Sequence, residues 1–114
     1  MTTLSLKLRE ENEFIPLKDF EDRYEIMISF PYEIYDIKLN TFNFGSRSPR
    51  IGNRVGLFKN DKCEVWFKHR LIMKQFNTEY NEHKHIFHIN GNKLDNHIEN
   101  LSFKMSDMKK RSHK

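Results

Sequence analysis

Two side chains twelve residues apart, His88 and Asn100, stand in the most patterned stretch of this chain, residues 82–104. His88 belongs to an apolar step, Ile86-Phe87-His88-Ile89, followed by the turn Gly91-Asn92-Lys93; Asn100 belongs to Ile98-Glu99-Asn100-Leu101. An imidazole titrates near neutral pH, so it can take or give a proton there. Each residue also has a plainer reading, His88 as a hydrogen-bonded structural histidine and Asn100 as a turn or cap residue. His83, His85 and His88 invite a zinc site. Strand alternation, however, sets His83 and His85 on one face and His88 on the other. That pattern predicts solvent-exposed histidines and no zinc.

The elements that must position these residues show in the hydrophobic pattern. Residues 1–12 alternate at Leu4, Leu6 and Leu8 and then turn acidic, which suggests an edge strand or an arm. After Ile15-Pro16-Leu17 and the turn signal Asp19–Asp22, Tyr24–Ile28 reads as a strand ended by Pro31, which cannot donate to a ladder. Tyr32–Leu39 alternates as a half-buried strand should. Residues 43–53 are loop-like, without an acid and with two of the four glycines, and mark a boundary between modules spanning 1–45 and 54–114. Strands over Arg54–Phe58 and Glu64–Lys68 follow, joined by the turn Lys59–Lys62. A short helix over His69–Phe76 presents Leu71, Ile72 and Phe76 near one face. A last helix starts near Ser106, with Asp107 in its first turn. The fold class is α+β, with short antiparallel strands.

Composition narrows the functional classes. At 114 residues the chain holds one domain or two small modules sharing a core. A charged fraction of 32% and a mean hydropathy of -0.81 leave little apolar material. Ten Phe, four Tyr and one Trp offset this with rings that bury about 150–250 Å² each. Phe42, Phe44, Phe58 and Phe67, although interleaved with charge, read as core. A net charge of +4 and a pI near 9.2 allow a polyanionic partner. Cys63 is the lone cysteine, which excludes an intramolecular disulfide and a cysteine-based zinc cluster and suggests a small half-buried residue. No stretch approaches 18 apolar residues and the N-terminus has no apolar signal region, so the expectation is a soluble, intracellular protein with no membrane partner.

Arg54–Phe103 resembles the HNH domains of homing endonucleases found in phages and large DNA viruses. The matching pieces are His69-Arg70-Leu71 with Phe76, His88-Ile89-Asn90-Gly91-Asn92-Lys93, Asp95-Asn96, and Ile98-Glu99-Asn100-Leu101 with Phe103. The first half is similar to the short module that often precedes such domains, through Ile15-Pro16, Phe20-Glu21, Tyr24-Glu25-Ile26 and Pro31-Tyr32-Glu33-Ile34, and that resemblance implies a part in docking on DNA. The resemblance implies a C-terminal ββα-metal unit, a virus- or phage-encoded protein, and nicking or cutting of duplex DNA with magnesium or manganese. His88 would be the general base and Asn100 the residue that fixes its loop.

The metal positions depart from that family. Phe87, just before the base, and Lys109, on the following helix, stand where ligands belong, and neither a phenyl ring nor an ammonium coordinates a cation that requires oxygen ligands. Asn90, Asp95 and His113 are the substitutes within reach of a register slip. Candidate DNA contacts are Arg70, Lys93, Lys104, Lys109, Lys110 and Arg111, with Arg47, Arg50 and Arg54 as a second group; His69-Arg70, at the start of its helix, could equally cap, pair or pack. The leading expectation is a divalent-metal-dependent DNA endonuclease. The alternative is a degenerate HNH domain that binds DNA or a protein partner without cutting.

Overall fold

The computed structural model describes residues 3–108. The chain divides into two compact units. One is the chain through Gly45 together with Val55–Val65; the other is Ser46–Arg54 together with the chain from Trp66 onward.

The first unit opens with α1, Thr3–Glu11, where the leucine alternation had suggested an edge strand or an arm. Leu, Lys, Arg and Glu are good helix formers, and here propensity prevails over a three-residue alternation. Arg9 anchors the helix by pairing with Glu25 and lying 4.6 Å and 4.2 Å from the Phe14 and Tyr35 ring centroids. A four-stranded antiparallel sheet follows in chain order: β1 Phe14–Pro16, β2 Tyr24–Met27, β3 Ile34–Asp36 and β4 Thr41–Asn43. Its core holds Leu17, Phe20, Tyr24, Ile26 and Ile34, with Val55 and Leu57 from the inserted segment.

β3 is shorter than the alternation over Tyr32–Leu39 suggests. Tyr32 has a left-handed φ of 56°, and the Asp36 carboxylate turns the chain by accepting the Leu39 N–H at 3.1 Å, leaving Ile37 and Leu39 exposed. Asp36 also receives Arg23, Nε at 3.1 Å and Nη2 at 2.8 Å. Burial pushes its pKa up, but the Arg23 bonds outweigh this and hold it below the usual carboxylate range.

Part of the expected loop over 43–53 is a strand. β5, Ser46–Ser48, pairs antiparallel with β6, Gly52–Lys59, in the register Ser46↔Arg54 and Ser48↔Gly52. Gly52 closes the turn at a φ of +110°, which L side chains rarely adopt. β7, Lys62–Phe67, completes a sheet of order β5-β6-β7. Asn60 and Asp61 both take positive φ, 52° and 61°, the two-residue turn that matches strand twist.

α2, Lys68–Phe76, forms where its periodicity predicts and buries Leu71, Ile72 and Met73, while Phe76 stays half-buried. β8, Phe87–His88, pairs antiparallel with β9, Leu101–Ser102, in the register Phe87↔Ser102 and His88↔Leu101. Around Ser106 the chain makes a 3-10 turn over Met105–Asp107, with Asp107 accepting from the Ser102 hydroxyl. The continuation of the expected helix lies outside the described residues.

Other expectations change too. Phe42 is buried, but Phe44, Phe58 and Phe67 are 44%, 47% and 38% exposed, each covering a neighbouring ring or cation instead of filling a core. Phe44 stacks on Phe42, Phe58 carries the Arg23 guanidinium at 5.0 Å, and Phe67 stacks on His69. Cys63 is exposed rather than half-buried, because β7 is exposed on both faces along most of its length. No helix among the described residues is long and apolar enough to cross a membrane.

The buried Tyr24 hydroxyl accepts the Phe58 N–H at 2.9 Å, tying β2 to the inserted segment. Tyr24→Phe leaves that N–H unpaired and should cost about 1–3 kcal/mol in urea unfolding. A change below a few tenths would show that the bond is replaced.

Candidate functional site

β8 carries His88 into the interior of the second unit, where it is 7% exposed. Its Nε2 lies 2.8 Å from Asn96 Oδ1. An amide oxygen only accepts, so Nε2 carries the hydrogen and Nδ1 keeps the lone pair. The residue that fixes this tautomer is eight positions downstream, which no strand or helix period would single out. His83 and His85 are exposed as expected, whereas His88 is buried.

The loop from His88 to Asn100 is closed by amides. Asn100 Nδ2 donates to Asn90 Oδ1 at 3.0 Å and to the Asp95 carbonyl at 2.8 Å, while its Oδ1 accepts the Asn90 N–H at 3.1 Å. The Ile89 N–H reaches the Asn100 carbonyl at 2.8 Å. Asn92 Oδ1 accepts the Leu94 N–H, and Gly91 turns the chain at a φ of 77°. Asn100 therefore holds the segment directly after His88 at three points, through its side chain alone.

The expected magnesium or manganese takes oxygen ligands. Phe87 presents a ring that packs 4.5 Å from His85. The Asn90 amide oxygen already accepts the Asn92 N–H at 2.9 Å and the Asn100 amide. The Asp95 carboxylate accepts Asn90 Nδ2 at 2.8 Å and His97 Nδ1 at 2.6 Å; the His97 bond above all keeps its pKa low. Among the described residues no group of three or more His, Cys, Asp or Glu is placed to hold a metal. These residues do not fit the ion. Lys109, Lys110, Arg111 and His113 lie outside the described residues.

Of the remaining candidates, Arg70 spends its guanidinium on the Tyr80 hydroxyl and the carbonyls of Glu82 and Lys84, at 3.2, 3.4 and 3.1 Å. Lys93 Nζ donates to the Arg50 carbonyl at 3.1 Å. Lys104 is exposed at the entry to the 3-10 turn.

His69 packs edge-on against His88, ring centroids 4.9 Å apart, and its buried Nδ1 has no hydrogen-bond partner. Its place on α2 gave it only an ambiguous reading in the sequence. Burial, and then the electrostatic influence of His88, Arg70, His85 and Lys93, lower its pKa from 6.5 to about 3. Between those values the unfolded chain holds a proton that the folded chain refuses. Stability should thus be full above pH 6.5 and fall as pH drops toward 3, by at most about 1.4 kcal/mol per pH unit. His69→Phe should flatten urea-unfolding stability between about pH 6.5 and 4.5, above the range where carboxylates titrate. An unchanged slope would assign the dependence to another group.

Comparison with known proteins follows the same segment. Residues 67–103 match a family model described as HNH endonuclease. A solved structure titled for DNA binding and cleavage by the HNH homing endonuclease I-HmuI is similar with a TM-score of 0.67 at 31% identity, covering 78% of this chain and 50% of that one. The chain thus spans about half the length of the solved structure it matches. No curated protein matches.

Proposed function

Residues 67–103 and the fold around them place the chain in the HNH homing-endonuclease family, and from that premise we propose that it binds duplex DNA through its second unit without metal-dependent cutting. The observation that carries this reading is the division of charge. The second unit holds thirteen Lys and Arg against five Asp and Glu, whereas the first holds seven against eleven. Phosphate contacts by side-chain cations supply sequence-independent affinity, and only the second unit has that surplus. The N-terminal module, being net acidic, is read here as a scaffold and not as a phosphate grip. The solved relative, titled for binding and cleaving DNA, supports DNA as the ligand.

Cutting requires charge on the phosphate as well as a base, and the described residues hold no group of three or more His, Cys, Asp or Glu placed to bind a divalent ion, while Phe87 stands at an expected ligand position. A second reading, nicking with magnesium or manganese, is favoured by one observation: Asn96 fixes His88 in the tautomer whose Nδ1 can accept a proton.

Anisotropy of a labelled duplex in EDTA, over rising salt, tests the first reading beside supercoiled plasmid incubated with magnesium or manganese. Affinity should fall with a log–log slope near −0.9 per phosphate contacted, and the plasmid should stay intact. Metal-dependent nicking that disappears in His88→Ala would establish the second reading. Binding indifferent to salt would overturn both.

A further inference from the structure

His88 also lines a cavity of about 350 Å³, at the small end of the range for ligand pockets. His69, Arg70, His85 and Lys93 line it with His88; every other lining side chain is apolar, and none is a carboxylate. That composition is the reverse of a cation site. It provides two permanent cations, the His69 and His85 rings, and an apolar wall, while the His88 Nε2–H is already given to Asn96.

The two cations are held in place without being neutralised. Arg70 donates only to a hydroxyl and two carbonyls, and Lys93 to a carbonyl, so neither meets an acid among the described residues. Hydrogen bonds to neutral acceptors fix position and leave the full charge directed at the cavity. The field there is strong enough that these neighbours add to burial in keeping His69 unprotonated. A positive, partly enclosed cavity attracts an anion, and the donors match a phosphate oxygen set.

We propose that this cavity is a phosphate site that works without a divalent ion, taking a phosphate group of nucleic acid against Lys93, Arg70 and His85, beside the His88 ring. The inference rests on the DNA reading for the source of the phosphate and goes beyond it in naming the site and its independence of metal. Lys93 and Arg70 supply the charge that Phe87 prevents a bound ion from supplying beside His88.

The test uses histidine imidazole resonances of the full chain in EDTA, titrated separately with inorganic phosphate and with a thymidine dinucleotide carrying one phosphodiester. The His85 and His88 signals should move with saturation, and Lys93→Gln should weaken binding at least fivefold while Lys62→Ala, at an exposed position of the first unit, leaves it unchanged. Should Lys93→Gln disturb the fold, visible as shifts throughout the spectrum, His85→Ala replaces it with the same expected loss. A response to the dinucleotide identifies an internal phosphodiester as the ligand, and a response to inorganic phosphate alone a free or terminal phosphate; either supports the site. No shift at His85 and His88, equal binding in the variants, or a requirement for magnesium overturns it. Duplex binding that persists with silent histidines would sink the cavity and leave the DNA reading standing. Histidine shifts with no duplex binding would do the opposite.

Discussion

The Asn100 side chain is the constraint from which the second unit's architecture follows. The apolar residues buried there, Leu71, Ile72, Met73, Ile86 and Leu101, come from α2 and from the β8–β9 ribbon and its flank, and leave none for the eleven-residue loop between His88 and Asn100. A loop whose apolar side chains, Ile89, Leu94 and Ile98, are only half-buried must satisfy its backbone by other means. Asn100, Asn90, Asn92 and Asp95 do so with amide and carboxylate bonds running inside the loop. Two-residue strands such as β8 and β9 are too short to hold register by themselves. The amide lattice sets that register, and with it the depth at which His88 sits.

Depth has an electrostatic consequence. A ring buried on a basic unit gains from an acid beside it, and neither His88 nor His69 has one among its bonded partners. Asp95, the acid closest in sequence to the loop's centre, is bonded to His97 and Asn90. His88 answers with a hydrogen bond to Asn96, and His69 with a lowered pKa and an unpartnered Nδ1. A buried nitrogen without a partner costs stability. The unit thus tolerates unfavourable electrostatics in its interior, concentrated on the wall of one cavity, while its acids lie elsewhere in hydrogen-bonded turns.

How much of this was legible in the sequence depends on the range of the interaction. α2 and the β6–β7 hairpin were readable because a helical period and a two-residue turn are local properties, carried by Leu71, Ile72, Asn60 and Asp61. The spacing of His88 and Asn100 was readable because the loop has a fixed length. α1 was not, since the alternation of three leucines carries less weight than the helix propensity of seven of its nine residues, the leucines included. β5 was hidden because Ser46-Arg47-Ser48 has no apolar face, and only its partner Gly52–Arg54 makes it a strand. Asn96, and the meeting of Lys93, Arg70 and His85 around one space, arise only after the loop closes. Phe44, Phe58 and Phe67 were misplaced for a related reason: a ring's partner, cation or core, is a tertiary fact.

The same lattice explains why His88 and Asn100 say little about cutting by themselves. Asn100 bonds Asn90 and Asp95 whether or not a water is ever activated, and losing it would open the loop before any chemistry was tested. His88 fills an interior position, donates to Asn96 and packs against His69, and each contact serves folding. Neither role needs a metal ion. Phe87 is different in kind: it lies half-buried against the exposed His85, and a carboxylate there would change the local charge without removing any bond of the lattice. Position 87 can therefore vary with function while 88 and 100 are pinned by structure. The residue that informs on activity is the one the fold does not need.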